Sequence, residues 1–145
     1  EKEYRAITRG HPPDRRGMID YPLGRRRKKR VKMSVTYLEG RPARSEYEVL
    51  EYFPNHAFLR VGIMTGRTHQ IRVHLARVGS PVLGDRKYGR KIGPAGGGFT
   101  ADRQMLHARR IGFIHPRTGK KMSFTASLPS DMRTVLQKLR SQRKS

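Results

Sequence analysis

Apolar and polar residues alternate along most of this 145-residue chain, and the alternation has punctuation. Residues 3–8 read as a short strand. Residues 31–37, Val-Lys-Met-Ser-Val-Thr-Tyr, are β-branched and alternate, which also predicts a strand. Another spans 44–53 and stops before Pro54. Leu59, Val61 and Ile63 interleave with Arg60 and Gly62 at a period of two. Residues 106–114 predict a strand, and Met122, Phe124 and Ala126 alternate with Lys121, Ser123 and Thr125 to give the last. The segments 10–17, 39–42, 93–98 and 115–119 carry the Gly, Pro and Asp of turns and loops.

The period changes after Thr65-Gly66. Ile71, Leu75 and Val78 fall at i, i+4 and i+7, one face of a helix over about 69–78. Thr68 suits its N-cap and Gly79 the position after its end, and Pro81 cannot continue it. Near the C-terminus Met132, Val135, Leu136 and Leu139 form one stripe, which predicts a helix over about 130–142 behind Pro129 and Ser130. The pattern is α+β and strand-rich, over 1–145, with no internal repeat or interior boundary.

Composition alone would leave the fold in question. Leu, Ile, Val and Phe make up about a fifth of the residues, close to where highly charged chains stay unfolded. The periodicity decides for a folded domain. Zero Cys excludes disulfide frameworks, thiolate zinc sites and Cys nucleophiles. No apolar run approaches the ~18 residues of a membrane span, and Glu1-Lys2-Glu3-Tyr4 does not read as a signal peptide. The expected location is cytoplasmic.

Charge narrows the partner. There are 33 Lys and Arg against 11 Asp and Glu, a net of +22. The excess is spread out: +7 over residues 1–50, +6 over 51–100 and +9 over 101–145. Such a field attracts nucleic acid in a salt-sensitive way. The densest run is Arg25, Arg26, Arg27, Lys28, Lys29 and Arg30, with Lys32 following. Its repulsion predicts an exposed loop, either simply solvated or a phosphate-contacting arm.

One stretch is both polar and structured: Thr65-Gly-Arg-Thr-His-Gln-Ile-Arg-Val-His-Leu75. It leaves a strand, turns at Gly66 and enters the helix. Arg67, Thr68, His69 and Gln70 cluster at a helix start, where backbone N–H groups favour a phosphate or carboxylate. Arg72 lies one turn in, and its planar fork of donors suits a bidentate acid partner in a cleft. On spacing alone, surface charges on an amphipathic helix explain Arg72 and Arg77 as well. His69 and His74 are five apart with no acidic cluster nearby in sequence, so no metal site is expected.

This stretch, with Val78-Gly-Ser-Pro-Val-Leu-Gly-Asp85 and Tyr88-Gly89 after it, strongly resembles the RluA-type family of pseudouridine synthases, above all members acting on large-subunit ribosomal RNA. Lys2-Glu3-Tyr4, Gly17-Met-Ile-Asp-Tyr-Pro-Leu23, Ala43-Arg-Ser-Glu-Tyr-Glu-Val49, Asp102-Arg-Gln-Met-Leu-His-Ala108 and His115-Pro-Arg-Thr-Gly119 agree in order. The resemblance covers nearly the whole chain. It implies a mixed, largely antiparallel pseudouridine synthase sheet and isomerisation of uridine within RNA, with no metal and no cofactor. It also implies an essential Asp acting at the sugar. Arg72 then matches the arginine that forms a salt bridge with that Asp. Tyr4 matches the tyrosine that stacks on the target base and assists proton transfer from its carbon. Ile71 and Leu106 match apolar positions packed near the pocket.

One departure bears on mechanism. The family's Asp lies upstream, in a His-Arg-Leu-Asp segment that this sequence lacks. The aspartates present are Asp14, Asp20, Asp85, Asp102 and Asp131, none in that context. A smaller departure is Ser80, where members often carry His. The expectation is the C-terminal part of a catalytic domain, inactive alone and partnered by the missing N-terminal half. The rival is a non-enzymatic RNA-binding or ribosome-associated protein with a degenerate synthase fold.

Overall fold

A computed structural model of the protein describes residues 2–25, 33–35, 40–64, 66, 69–89 and 101–143. Among the described residues, eight strands and two helices follow in the order β1 (Lys2–Arg9), β2 (Arg16–Asp20), β3 (Leu23–Arg25), β4 (Met33–Val35), β5 (Arg44–Tyr52), β6 (His56–Ile63), α1 (Gln70–Arg77), β7 (Leu106–Ile114), β8 (Lys121–Thr125) and α2 (Ser130–Arg143). Six strands form one sheet, β2-β5-β6-β1-β7-β8, and β3 and β4 pair separately. Every strand pairing among the described residues is antiparallel. The α+β class and its largely antiparallel sheet are as expected.

Alternation sends neighbouring residues of one strand to different cores. On β1, Ala6 joins a cluster with Ile19, Tyr47, Leu59, Val61, Ile71 and Leu75, beneath α1. Ile7 joins another with Phe53, Phe58, Leu83, Met132, Leu136 and Leu139, beneath α2. The central sheet is therefore sandwiched between the two helices. That explains why His56 to Leu59 are all buried and do not alternate. The stripe read for the C-terminal helix is the buried one: Met132, Leu136 and Leu139 are enclosed and Val135 packs beside them. At the other end, Phe113 on β7 and Phe124 on β8 stack with ring centroids 5.9 Å apart, half exposed beside Ile111 and Ile114.

Two strands escaped the sequence pattern. In β2 only Met18 and Ile19 are apolar, flanked by Arg16, Gly17 and Asp20, so no alternation was visible; pairing with β5 makes it a strand. β3 has three residues and exists through β4. Of the strand expected over 31–37, Met33–Val35 is described; 31–32, 36–37 and the loop expected over 93–98 lie outside the described residues.

The end of α1 fits its expected stop. Ser80 N–H donates to Leu75 O at 2.9 Å and Gly79 N–H to Ala76 O at 3.1 Å, with Gly79 at φ 85°. This paired closure needs a left-handed residue, which Gly adopts freely. The start differs: the residue before the first helical one is His69, at φ 54° and ψ 23°. Thr68, the expected N-cap, lies outside the described residues.

The chain after α1 is tied into the end of the sheet. Leu83 N–H donates to Ile7 O at 2.8 Å and Met105 N–H to Leu83 O at 2.8 Å. The segment that follows, 84–89, is thereby held against α1.

Candidate active site

Tyr4, Ile71, Arg72 and Leu106 line one open pocket of about 350 Å³, together with Lys2, Ile63, Gly66, His69, Gln70 and Gln104. Three elements supply the four. β1 contributes Tyr4, at a β-bulge where its pairing with β7 shifts register between Glu3 and Tyr4. Bulges re-aim side chains in this way. β7 starts at Leu106, opposite Ala6. α1 offers Ile71, buried in the core, and Arg72 beside it. Tyr4 and Leu106 pack on the same core as Ile71. The pocket floor is thus continuous with the hydrophobic core, which leaves little freedom to the groups around it.

Arg72 has a definite partner. Its Nε donates to Asp85 Oδ2 at 2.8 Å and its Nη2 to Asp85 Oδ1 at 2.8 Å. The Asp85 side chain is 0% exposed and that of Arg72 13%. The same carboxylate accepts the N–H of Lys87 at 3.0 Å and of Tyr88 at 3.1 Å. Burial pushes the Asp85 carboxyl pKa up, but the Arg72 hydrogen bonds, the Tyr88 amide, the Arg72 charge and the Lys87 amide together outweigh it. The carboxyl is held below its ordinary value and stays ionised. Asp85's hydrogen bonds push Arg72 above its ordinary value, against its burial.

Tyr88 ties the pair to the helix start. The Arg72 guanidinium carbon lies 5.1 Å from the Tyr88 ring centroid, and His69 meets the same ring edge-on. His69 Nδ1 and the Tyr88 hydroxyl are 2.6 Å apart. His69 is the one non-glycine residue with positive φ among the described residues. Such strain persists where the surroundings fix it, as this contact does. Burial, then the charges of Arg72 and Lys87, lower the His69 pKa despite Asp85, so its imidazole is neutral at neutral pH.

The cluster expected at the helix start is brought together only in part. Arg67 and Thr68 lie outside the described residues, as do Arg26, Arg27, Lys28, Lys29 and Arg30. Arg25 ends β3. His69 borders the pocket. Gln70 faces inward: it is 3% exposed, and its amide nitrogen donates to Arg44 O at 2.7 Å and Ser45 Oγ at 3.1 Å. Those bonds make it a clamp between α1 and β5, so its amide nitrogen is not turned to an RNA backbone. His74 extends the clamp, with Nδ1 2.9 Å from Ser45 Oγ and Nε2 2.9 Å from Tyr21 O. A carbonyl can only accept, so Nε2 carries the proton and Ser45 donates to Nδ1.

Pattern reasoning assigned no role to Asp85, Tyr88 or Ser45. The Gly84-Asp85 and Tyr88-Gly89 pairs were visible as motif residues, but their contact with Arg72 is set by a loop closing back on α1. Among the described residues no three His, Asp or Glu side chains gather as a metal-ligand set. No helix of the described residues is long and apolar enough to cross a membrane.

The fold is thus an antiparallel sheet between two helices, with α1 opening onto a pocket beside the strand residue Tyr4. Residues 1–77 match the family described as RNA pseudouridylate synthase. A Chloroflexus aurantiacus protein named an uncharacterized RNA pseudouridine synthase is 45% identical over 138 residues, 95% of this chain and 42% of that protein. The ribosomal large subunit pseudouridine synthase D of Vibrio parahaemolyticus is 42% identical, over 96% of this chain and 45% of its own length. That of Escherichia coli K12 is 38% identical, over 96% and 44%. The solved structure of human RNA pseudouridylate synthase domain containing 1 superposes with a TM-score of 0.73 at 26% identity, covering 97% of this chain and 65% of that one. The chain belongs to the RNA pseudouridylate synthase family. It spans less than half the length of the curated relatives it matches.

Proposed function

We propose that the protein of which this chain forms the C-terminal part of the catalytic domain is an RNA pseudouridine synthase acting on large-subunit ribosomal RNA in the cytoplasm. The observation that carries this reading is the convergence of Tyr4, Ile71, Arg72 and Leu106 on one pocket. Tyr4, the neighbours Ile71 and Arg72, and Leu106 come from three distant parts of the sequence and meet only through the fold.

The chemistry assigned to the site is an isomerisation, so no atom is gained or lost. The target uridine is drawn out of its stack into the pocket. A carboxylate supplied from the upstream part acts at the sugar, as nucleophile or as base, while the bond from ribose to the uracil nitrogen breaks. The base turns, a bond forms from ribose to uracil carbon five, that carbon loses its proton and the released nitrogen gains one. Arg72 keeps the reacting carboxylate ionised and aimed beneath the base. Tyr4 stacks on the uracil and assists proton removal from carbon five. Ile71 and Leu106 supply the apolar wall that excludes water. Phosphate contacts fall to the basic residue Arg67 and the run Arg25 to Arg30, with Thr68 and the neutral imidazole of His69 beside them.

The test is release of label from ring carbon five of uridine in a large-subunit rRNA transcript. The whole protein releases label and the 145-residue chain alone does not. Replacing Arg72 by Ala in the whole protein lowers turnover by ~10²-fold or more, the scale for losing a preorganised electrostatic group. Turnover by the isolated chain, or near-wild-type turnover by Arg72→Ala, refutes these roles.

A further inference from the structure

The Arg72–Asp85 pair poses a question: the arginine assigned to a reacting carboxylate already holds another. Guanidinium geometry answers it. An arginine has five N–H donors in one plane. Asp85 takes the Nε hydrogen and one on Nη2, the side-on edge. Among the described residues the end-on edge, Nη1 with the second hydrogen of Nη2, remains for a second bidentate acceptor. Arg72 lines the pocket, whereas Asp85 does not.

Asp85 is also built in more firmly than a surface partner would be. Its carboxylate accepts two backbone amides of its own loop, and its carbonyl accepts Gly89 N–H at 3.0 Å. Gly84 just before it stands at φ 83°, where a Cβ would lie 2.1 Å from Arg103 O. The loop therefore sets the carboxylate, the carboxylate sets the side-on edge of Arg72, and the Tyr88 ring limits movement out of that plane.

We propose that Asp85 is a positioning residue, gripping the Nε–Nη2 edge of Arg72 so that the end-on Nη1–Nη2 edge of the guanidinium is presented to the reacting carboxylate. Its own carboxylate is turned into the loop and takes no part at the sugar. This rests on the synthase reading above and adds to it a second acid with a different task.

The experiment uses the whole protein and the labelled rRNA transcript. Asp85→Asn keeps an oxygen for the Lys87 and Tyr88 amides but removes the charge and one acceptor facing Arg72. The expected kcat falls ~30-fold or more, while KM and RNA affinity stay within ~3-fold, because Asp85 acts on the reacting geometry and not on RNA. In an Arg72→Ala background the same change costs less than ~3-fold further, since two residues acting as one unit are not additive. A kcat for Asp85→Asn within ~3-fold of wild type, or losses that multiply in the double variant, overturns the inference while leaving the synthase reading intact. Absence of turnover by wild type overturns both. Should Asp85→Asn not fold, Asp85→Glu carries the test: its extra methylene displaces the guanidinium and lowers kcat at unchanged KM, and wild-type kcat in that folded variant overturns the proposal.

Discussion

Gln70 and His74 lie four residues apart on α1 and look from sequence like more of the basic, polar face. Their side chains are instead the inward clamp of the helix, meeting at Ser45. Removing one partner of such a buried bond leaves the other unsatisfied, so Ser45→Ala in the whole protein is expected to cost about 1–3 kcal/mol of stability, read from a denaturant midpoint. Burial lowers the His74 pKa, outweighing the Tyr21 carbonyl bond and the Asp20 charge, which both raise it. The unfolded chain then binds the proton more readily than the folded one. Stability is full above the ordinary histidine pKa of ~6.5 and is lost as pH falls from there toward the depressed folded value. A thermal midpoint followed from pH 8 to 5 should decline below ~6.5, less steeply for His74→Gln; equal slopes would remove His74 from the account. Ser80 shows the reverse case. Its Oγ is buried and finds no hydrogen-bond partner among the described residues, so Ser80→Ala is expected to hold or raise stability, by up to about 1 kcal/mol, read from the melting temperature.

At the scale of elements, α2 was the most legible. Met132, Leu136 and Leu139 follow the helical period, and they are the residues enclosed against Phe53 and Phe58. Leu136→Ala is expected to destabilise by about 2–5 kcal/mol, the range for deleting a large aliphatic side chain from a packed core. β2 was illegible because a strand at the sheet edge with two apolar residues carries almost no period of its own. The loop after α1 lies between these. Its glycines marked a turn, but not that a Cβ at position 84 would strike the backbone of Arg103. Gly84→Ala should therefore lower the melting temperature and release of label together, since the carboxylate that grips Arg72 follows it directly.

At the scale of the whole molecule, many of the few acids are committed to arginines. Glu48 bonds both Arg16 and Arg60, while Glu3, Asp20, Glu51, Asp85 and Asp131 each pair with one arginine. The exposed pairs contribute little to stability singly. Their consequence is that the net of +22 is carried by basic groups left over for polyanions. With six or more phosphates neutralised, RNA affinity of the whole protein should fall ~10³-fold or more between 50 and 200 mM salt, measured by filter binding. Replacing Arg26, Arg27, Lys28 and Lys29 by Gln should flatten the log–log slope by up to about one unit for each phosphate no longer neutralised. An unchanged slope would show that the run is only solvated.

Sequence alone determined what depends on neighbours along the chain. The periods of two and 3.6 placed the main strands and both helices, because side-chain direction repeats locally. Residue types within the motif pointed to Arg72, and the resemblance added Tyr4, Ile71 and Leu106. Tertiary structure decided what depends on partners far away in sequence. It joined those four in one pocket, turned Gln70 and His74 onto Ser45, made β2 a strand through β5, and closed the 84–89 loop so that Arg72 meets Asp85. A hydrogen bond's donor type is written in the residue, but its acceptor is chosen by the packing that brings two segments together.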